Sequence, residues 1–444
     1  MSRPIALAVL AALACLPAPA ADATKQWAQW RGPSGTGVAP LADPPVEWSE
    51  ERNVRWKTAL PGLGHSSPVV WGDRVYVTTA VPFGEATATP DAHGDVDGAH
   101  DNVVSSRRQK FVVLAVDRDD GSIVWERTVR EELPHESAHV TASWASASPV
   151  TDGKYVFAFF GSHGLYALDT GGNVVWELDL GDMQTLHGHG EGSSPALYRD
   201  TLVVNWDHQD GSFIVALDKK TGKQKWRVLR DEVTSWSTPL VVADGGSPQV
   251  IVAATGRVRS YDLKDGAAVW ETAGLARNVV ASPVAADGFV YVGNSYDRQA
   301  MLAIRLDGAA GDLTGTEAIA WTRDRDTPYV PSPVLYGDTL CFLEHNRAIL
   351  SCLEAQSGRE RLAPRRLADL GTVFASPVGA AGRLYVVDRD GAAAVVRLGG
   401  DYELLAVNRL DDSFSASPAV AGGDLLLRGE RHLYCLSRAG APRP

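Results

Sequence analysis

The sequence predicts an all-β fold, an eight-bladed β-propeller of four-stranded antiparallel blades, and three observations lead to it. A small residue followed by proline recurs eight times: Ser67-Pro68, Ser148-Pro149, Ser194-Pro195, Thr238-Pro239, Ser282-Pro283, Ser332-Pro333, Ser376-Pro377 and Ser417-Pro418. From Pro149 onward these prolines stand 46, 44, 44, 50, 44 and 41 residues apart, the length of one four-stranded blade. Six tryptophans recur near the ends of the same units. A repeat array closes into one domain whatever its length, so 444 residues need not mean several domains.

In chain order, Met1 to Ala20 carries Arg3, an apolar run from Ile5 to Leu16 and the small-x-small site Ala18-Pro19-Ala20. That run is too short to span a bilayer and reads as an export leader, removed on maturation. Cys15 could end a lipoprotein signal, but alanine stands at position 12, where a bulky aliphatic is expected, so cleavage after Ala20 is the preferred reading. Residues 21–52 form an N-terminal extension, 53–437 the propeller, and 438–444 a tail. Residues 81–110 read as an insertion within blade one.

The third blade displays the unit. An apolar strand follows Pro195, Arg199-Asp200 turns the chain, and Thr201 to Asn205 is a β-branched strand. A loop from Trp206 to Gly211 leads into Ser212–Leu217, and Asp218-Lys219-Lys220-Thr221-Gly222 turns into the outer strand ending at Trp226. Ten residues separate Ala216 from Trp226, Ala115 from Trp125, and Ser260 from Trp270. Blades splay as they leave the axis, and a large flat side chain on each outer strand fills the wedge, worth about 4–6 kcal/mol gross at full burial. At the inner strand heads the blades converge, so residues are small, and proline is tolerated at a strand's first position.

Closure follows from counting. Ten residues beyond Cys435 would be position 445, past the last residue of the sequence, so the final blade needs an outer strand from elsewhere. Asn53-Val54-Arg55-Trp56-Lys57-Thr58 carries its own tryptophan and is predicted to supply it, removing an exposed edge.

The run Ala216-Leu217-Asp218-Lys219-Lys220-Thr221-Gly222-Lys223-Gln224-Lys225-Trp226 resembles the alanine-aspartate-threonine-glycine-tryptophan repeat of the pyrroloquinoline-quinone-like (PQQ-like) propellers. The resemblance covers about residues 53 to 437. Trp27-Ala28-Gln29-Trp30-Arg31-Gly32-Pro33 further resembles the start of exported BamB-like members. It implies one of two roles. Quinoprotein alcohol dehydrogenases of this repeat bind PQQ and calcium in the funnel, usually beneath adjacent disulfide-bonded cysteines. BamB-type lipoproteins carry no cofactor and bind a partner of the barrel-assembly machinery. This sequence has no adjacent cysteines and no Cys-x-x-Cys-His haem site.

Net charge is −12 without any basic stripe, which argues against a nucleic-acid partner and is accounted for by solubility. The eleven histidines fall in the linkers between blades or in second-to-third-strand loops, which share one end of the propeller, the upper face. His65, His139, His187, His189 and Glu191 are candidate binding residues there. Trp144, Trp206, Trp236, Tyr329, Phe374 and Phe414 are predicted to lie near the axial mouth, and aromatics beside polar groups make a binding surface. The pairs His187/His189 and His135/His139 are read as polar loop residues, not metal ligands. Asp91–Gly98 looks calcium-like but lacks glycine at its sixth place.

If Asn346-Arg347 is a two-residue hairpin turn, Cys341 and Cys352 face each other as a hydrogen-bonded pair, a separation that suits a disulfide poorly. Buried thiols are expected for both, and for Cys435. No Gly-x-Ser-x-Gly elbow is present. The reading is an exported, periplasmic or extracytoplasmic, monomeric, non-catalytic propeller, without cofactor or transmembrane segment, binding an envelope protein or small ligand at its upper face. A PQQ- and calcium-dependent quinoprotein oxidoreductase, and a carbohydrate-binding surface built on Trp144, Trp206 and Trp236, are the alternatives.

Overall fold

The computed structural model describes residues 26–87, 100–243 and 246–438. The leader reading, Cys15, the Asp91–Gly98 loop and residues 439–444 lie outside the described residues.

Eight antiparallel blades surround one axis. Each Ser/Thr-Pro pair precedes the innermost strand of its blade. Blade three runs Ala196–Tyr198, Thr201–Trp206, Phe213–Asp218 and Gln224–Leu229 from the axis outward. In blade one the second and third strands, Arg74–Phe83 and Arg108–Asp117, each extend to ten residues and carry the described ends of the 81–110 segment. Blade eight takes Ala419–Ala421, Asp424–Arg428 and His432–Ser437 from the end of the chain and Val54–Ala59 from its beginning, with Trp56 opposite Cys435. The predicted closing strand is therefore in place.

The ten-residue interval becomes a cross-strand pair: Ala216 faces Trp226, Ala115 faces Trp125, and Ser260 faces Trp270. Each docking indole reaches over the turn of the next blade and donates to its backbone. Trp125 Nε1 donates to the Thr170 carbonyl at 2.9 Å, Trp176 to Lys219 at 2.9 Å, and Trp226 to Leu263 at 2.9 Å. The turn glycine is dictated by this contact: Gly222 has φ +69°, and a Cβ there would lie 2.8 Å from the Trp176 ring. Trp270 departs from the pattern. Gly311–Asp312, in the long outer loop of blade five, runs parallel to its strand, and its indole donates instead to Gln249 Oε1 at 3.0 Å.

The strand-head residues do more than stay small. The backbone N–H of Ser67 donates to Ser148 Oγ at 2.9 Å, Ser148 to Ser194 at 2.9 Å, Ser194 to Thr238 at 3.0 Å and Thr238 to Ser282 at 2.8 Å. Ser282 continues to Ser332 at 2.9 Å, Ser332 to Ser376 at 2.9 Å, Ser376 to Ser417 at 2.9 Å, and Ser417 returns to Ser67 at 3.0 Å. Eight hydrogen bonds thus run once around the axis, each blade's inner N–H satisfied by its neighbour's hydroxyl. A buried N–H at a strand head has no ladder partner, so a hydroxyl is required there as well as small size.

The expectation of free thiols at 341 and 352 is overturned, because Cys341 and Cys352 form a disulfide. The loop between their strands is four residues long, not two: the Glu344 N–H donates to the Ile349 carbonyl at 2.9 Å and closes the ladder one step earlier. That shift makes the cysteines a non-hydrogen-bonded pair, with Cα atoms 4.1 Å apart, the closer of the two antiparallel separations. Cys435 is a buried free thiol.

Candidate functional site

The upper end of the axis opens into a cavity of about 370 Å³. Its walls come from the linkers entering the blades, and their extended backbone explains which residues reach it. The residue two before each ring hydroxyl points to the axis, whereas the one between them packs between blades. His65, Ser146, Gly192 and Trp236 hold that position in blades one to four. Val280, Val330, Phe374 and Ser415 hold it in blades five to eight.

The floor is built by the N-terminal extension. Trp27 pairs with Val70, and Val38–Ala39 adds a parallel strand to the innermost strand of blade seven, Val378–Ala380. Between them the chain crosses the axis. Arg31, buried and without a carboxylate partner among the described residues, donates to the Pro377 carbonyl at 2.8 Å and to that of Pro333 at 2.5 Å. Its neighbour Trp30 lines both the upper cavity and a second one of about 240 Å³ beneath it, and so divides the axis.

Seven of the predicted residues line the cavity: His65, His139, His189, Glu191, Trp236, Tyr329 and Phe374. Four do not. Trp206 is the last residue of its strand, not part of a loop, and lies on the same face as Leu202 and Val204, which buries it between blades two and three against Phe213. Phe414 stands three residues before its ring serine, so it turns into the core and packs on Tyr434, leaving Ser415 to face the axis. Trp144 donates to the Glu136 carbonyl at 3.0 Å and lines a small side cavity of about 20 Å³. His187 sits at φ 60° beside the mouth, its ring 5.0 Å from that of His100. Trp30, Tyr296, Asn278, Asn346 and Ser415 line the cavity without having been among the predicted binding residues. The minus-two position would have identified Ser415.

Trp236 is held by a hydrogen bond from its Nε1 to the Gly190 carbonyl at 2.7 Å. The rings of Tyr296 and Tyr329 meet at the mouth, tilted against each other with their centres 5.8 Å apart. Opposite them, the rings of His139, His189 and His100 lie in series, 4.7 Å and 4.8 Å apart. Burial, and then the three neighbouring imidazoles, hold His189 down at about 4 against the His100 carbonyl. Burial also lowers His139. Both nitrogens of His65 are shut from solvent without a hydrogen-bond partner among the described residues, and burial, with Arg428 and Arg389 nearby, depresses it to about 3. These three imidazoles are neutral at pH 7, each offering one donor and one acceptor.

Among the described residues Glu191 is the cavity's only carboxylate, and it is engaged: its Oε2 accepts the Ser162 N–H at 2.7 Å and its Oε1 the Ser162 hydroxyl. Among the described residues no lysine or arginine lines the cavity, and no group of three His, Cys, Asp or Glu could hold a metal ion. PQQ carries three carboxylates and works with calcium, so this lining does not fit it. The disulfide lies within blade six between residues eleven apart, not over the funnel as an adjacent pair.

Behind Glu191, Glu136 accepts hydrogen bonds from the Thr185 N–H and hydroxyl, both at 2.8 Å, yet burial pushes it up to about 7. The folded state therefore holds a proton that the unfolded chain releases above about pH 4.5, and this carboxyl weakens the fold progressively as pH rises towards 7. Glu136→Gln is expected to match the wild type near pH 5 and to gain up to roughly 2–3 kcal/mol on it by pH 8, measured by urea unfolding at each pH. A pH-independent difference would show that the carboxyl is ionised throughout.

A family profile described as "Outer membrane protein assembly factor BamB" matches residues 46–182 and 109–364. Among curated proteins, an Arabidopsis thaliana F-box/kelch-repeat protein is 36% identical over 121 residues, which is 26% of this chain and 30% of that protein. The chain thus spans under a third of that relative's length. Among solved structures, BamB from Moraxella catarrhalis aligns with a TM-score of 0.51 at 15% identity, over 83% of this chain and 99% of its own. A quinohemoprotein alcohol dehydrogenase from Comamonas testosteroni aligns with a TM-score of 0.66 at 11% identity, over 96% of this chain and 83% of its own. At these identities the structural matches speak for the fold alone.

Proposed function

The chain belongs to the PQQ-like repeat propeller family described by the outer-membrane protein assembly factor BamB, and from that premise we propose that it is an exported, non-catalytic binding scaffold whose recognition site is the upper funnel. One observation carries the reading: the funnel gathers aromatic faces and neutral polar groups from all eight blades, while the only carboxylate among its described residues is already committed to Ser162. Such a surface recognises and orients, and among the described residues it sets no cysteine nucleophile beside its neutral imidazoles and no free carboxylate to work with them. Export rests on the leader, and a BamB-like place in the envelope on the family. No helix among the described residues is long and apolar enough to cross a membrane.

Photo-crosslinking in envelope extracts tests this. A benzophenone side chain at Tyr296, 42% exposed at the mouth, should yield a discrete adduct that Trp236→Ala abolishes, and one at Lys220, in an exposed turn at the opposite end, should yield none. Adducts from position 220 alone would move the site to the other face. Dye-linked alcohol oxidation after titration with PQQ and calcium would overturn the non-catalytic reading.

A further inference from the structure

Polar groups in the funnel divide by whether the protein satisfies them. The ring hydroxyls each accept a backbone N–H, and their own protons remain available for donation toward the axis. Two groups have no hydrogen-bond partner among the described residues: both ring nitrogens of His65, and Ser415 Oγ, atoms buried within residues that line the cavity from the adjoining blades one and eight. Buried polar groups are normally paired, so an unpaired imidazole beside an unpaired hydroxyl at the wall of a cavity marks where a ligand's own polar atoms belong.

The chemistry of that ligand follows from the lining. Among the described residues its engaged carboxylate and its lack of lysine and arginine leave no charged side chain to receive an ion. The nearest guanidiniums point elsewhere: Arg428 donates to the Ser66 and Thr78 carbonyls, and Arg389 lies over the Phe374 ring 5.2 Å from its centre. What remains is neutral and two-sided. The hydroxyls of Ser415 and the ring and the imidazole of His65 each both donate and accept, as do the amides of Asn278 and Asn346. Above them Trp236 and the Tyr296–Tyr329 pair offer flat apolar faces. A molecule with several hydroxyls on its rim and apolar C–H faces matches both halves at once.

We infer that the funnel binds a neutral saccharide, a sugar ring stacked on Trp236 with its hydroxyls reaching Ser415 and His65. The inference rests on the funnel being the recognition site. Of the three tryptophans that suggested a carbohydrate surface in the sequence, only Trp236 reaches the cavity, so the platform is one indole aided by tyrosines.

The test uses the purified mature chain with cellobiose, maltose and N,N′-diacetylchitobiose as neutral probes and citrate as the anionic one, read by saturation-transfer NMR and calorimetry. At least one disaccharide should bind with a dissociation constant in the micromolar to millimolar range and with little dependence on salt. Ser415→Ala removes a hydroxyl with no internal partner, so it should leave the melting temperature unchanged while weakening binding about tenfold. Trp236→Ala should weaken it by at least as much, and Trp236→Phe less, since a smaller aromatic face remains. Binding of citrate alone, no binding of any neutral probe, or sugar binding indifferent to Ser415→Ala and Trp236→Ala would overturn the inference. If the sugars fail while the Tyr296 crosslink persists, the saccharide is wrong and the funnel reading stands. Loss of both discards the two together.

Discussion

Asp207→Asn is expected to destabilise the protein by about 3–5 kcal/mol, because it removes the carboxylate hydrogen-bonded to the buried Arg230 charge and leaves only the more distant Glu232 to balance it. Both side chains are wholly buried at the upper end of blade three. Arg230 grips the carboxylate with two nitrogens, Nε to Oδ1 at 2.7 Å and a terminal nitrogen to Oδ2 at 3.1 Å, and its third donates to the Tyr261 hydroxyl at 2.5 Å. The same carboxylate accepts the Ser235 hydroxyl at 2.7 Å. That last bond fixes the linker at the residue before Trp236, so the pair braces the funnel wall as well as the fold. Urea unfolding of the single variant and of Asp207→Asn/Arg230→Met checks it. The double variant should recover much of the loss, since a buried ion pair contributes little over apolar packing once both charges are gone. A single-variant cost below about 1 kcal/mol would mean that water reaches Arg230.

Trp56→Ala should cost about 3–5 kcal/mol, more than Trp125→Ala, although the two indoles hold equivalent places in the repeat. Trp56 is 7% exposed, and its Nε1 donates to the Arg118 carbonyl at 2.9 Å. Around it the seam between blades eight and one is tied by Asp424, which takes Arg118 Nε at 2.9 Å and Arg55 at 3.1 Å. The tryptophan therefore lies at the blade whose four strands are shared between the two ends of the chain. Loosening it frees Val54–Ala59 and bares the His432–Ser437 edge, so self-association should accompany the loss of stability. Thermal melts with light scattering measure both. If Trp56→Ala melts no lower than Trp125→Ala and stays monodisperse, the seam is no more sensitive than any other blade contact.

Much of this was written locally. Proline at a strand head, a turn glycine under an indole and a tryptophan ten residues from its partner are short-range demands, so each repeat announces its own blade. Closure by the strand at Trp56 could be counted because one unit lacked a strand. The funnel was half legible: the upper face and residues such as His65, Trp236 and Phe374 were accessible, since linkers can be located from the period. Trp206 and Phe414 were not placed correctly, because a one-residue difference in strand length or register turns a side chain from axis to core. For the same reason a loop of four residues, not two, brought Cys341 and Cys352 into bonding range.

By itself the sequence determined the number of blades, their order and the strand that closes them, because those follow from repeated contacts between near neighbours. Only the tertiary structure decided that eight hydroxyls join in a ring, that Trp30 and Arg31 stop the axis from below, and that Ser415 and His65 face one cavity. Those residues meet across separations of 41 to 350 positions, and it is the curvature of the closed ring, not any local preference, that brings them together.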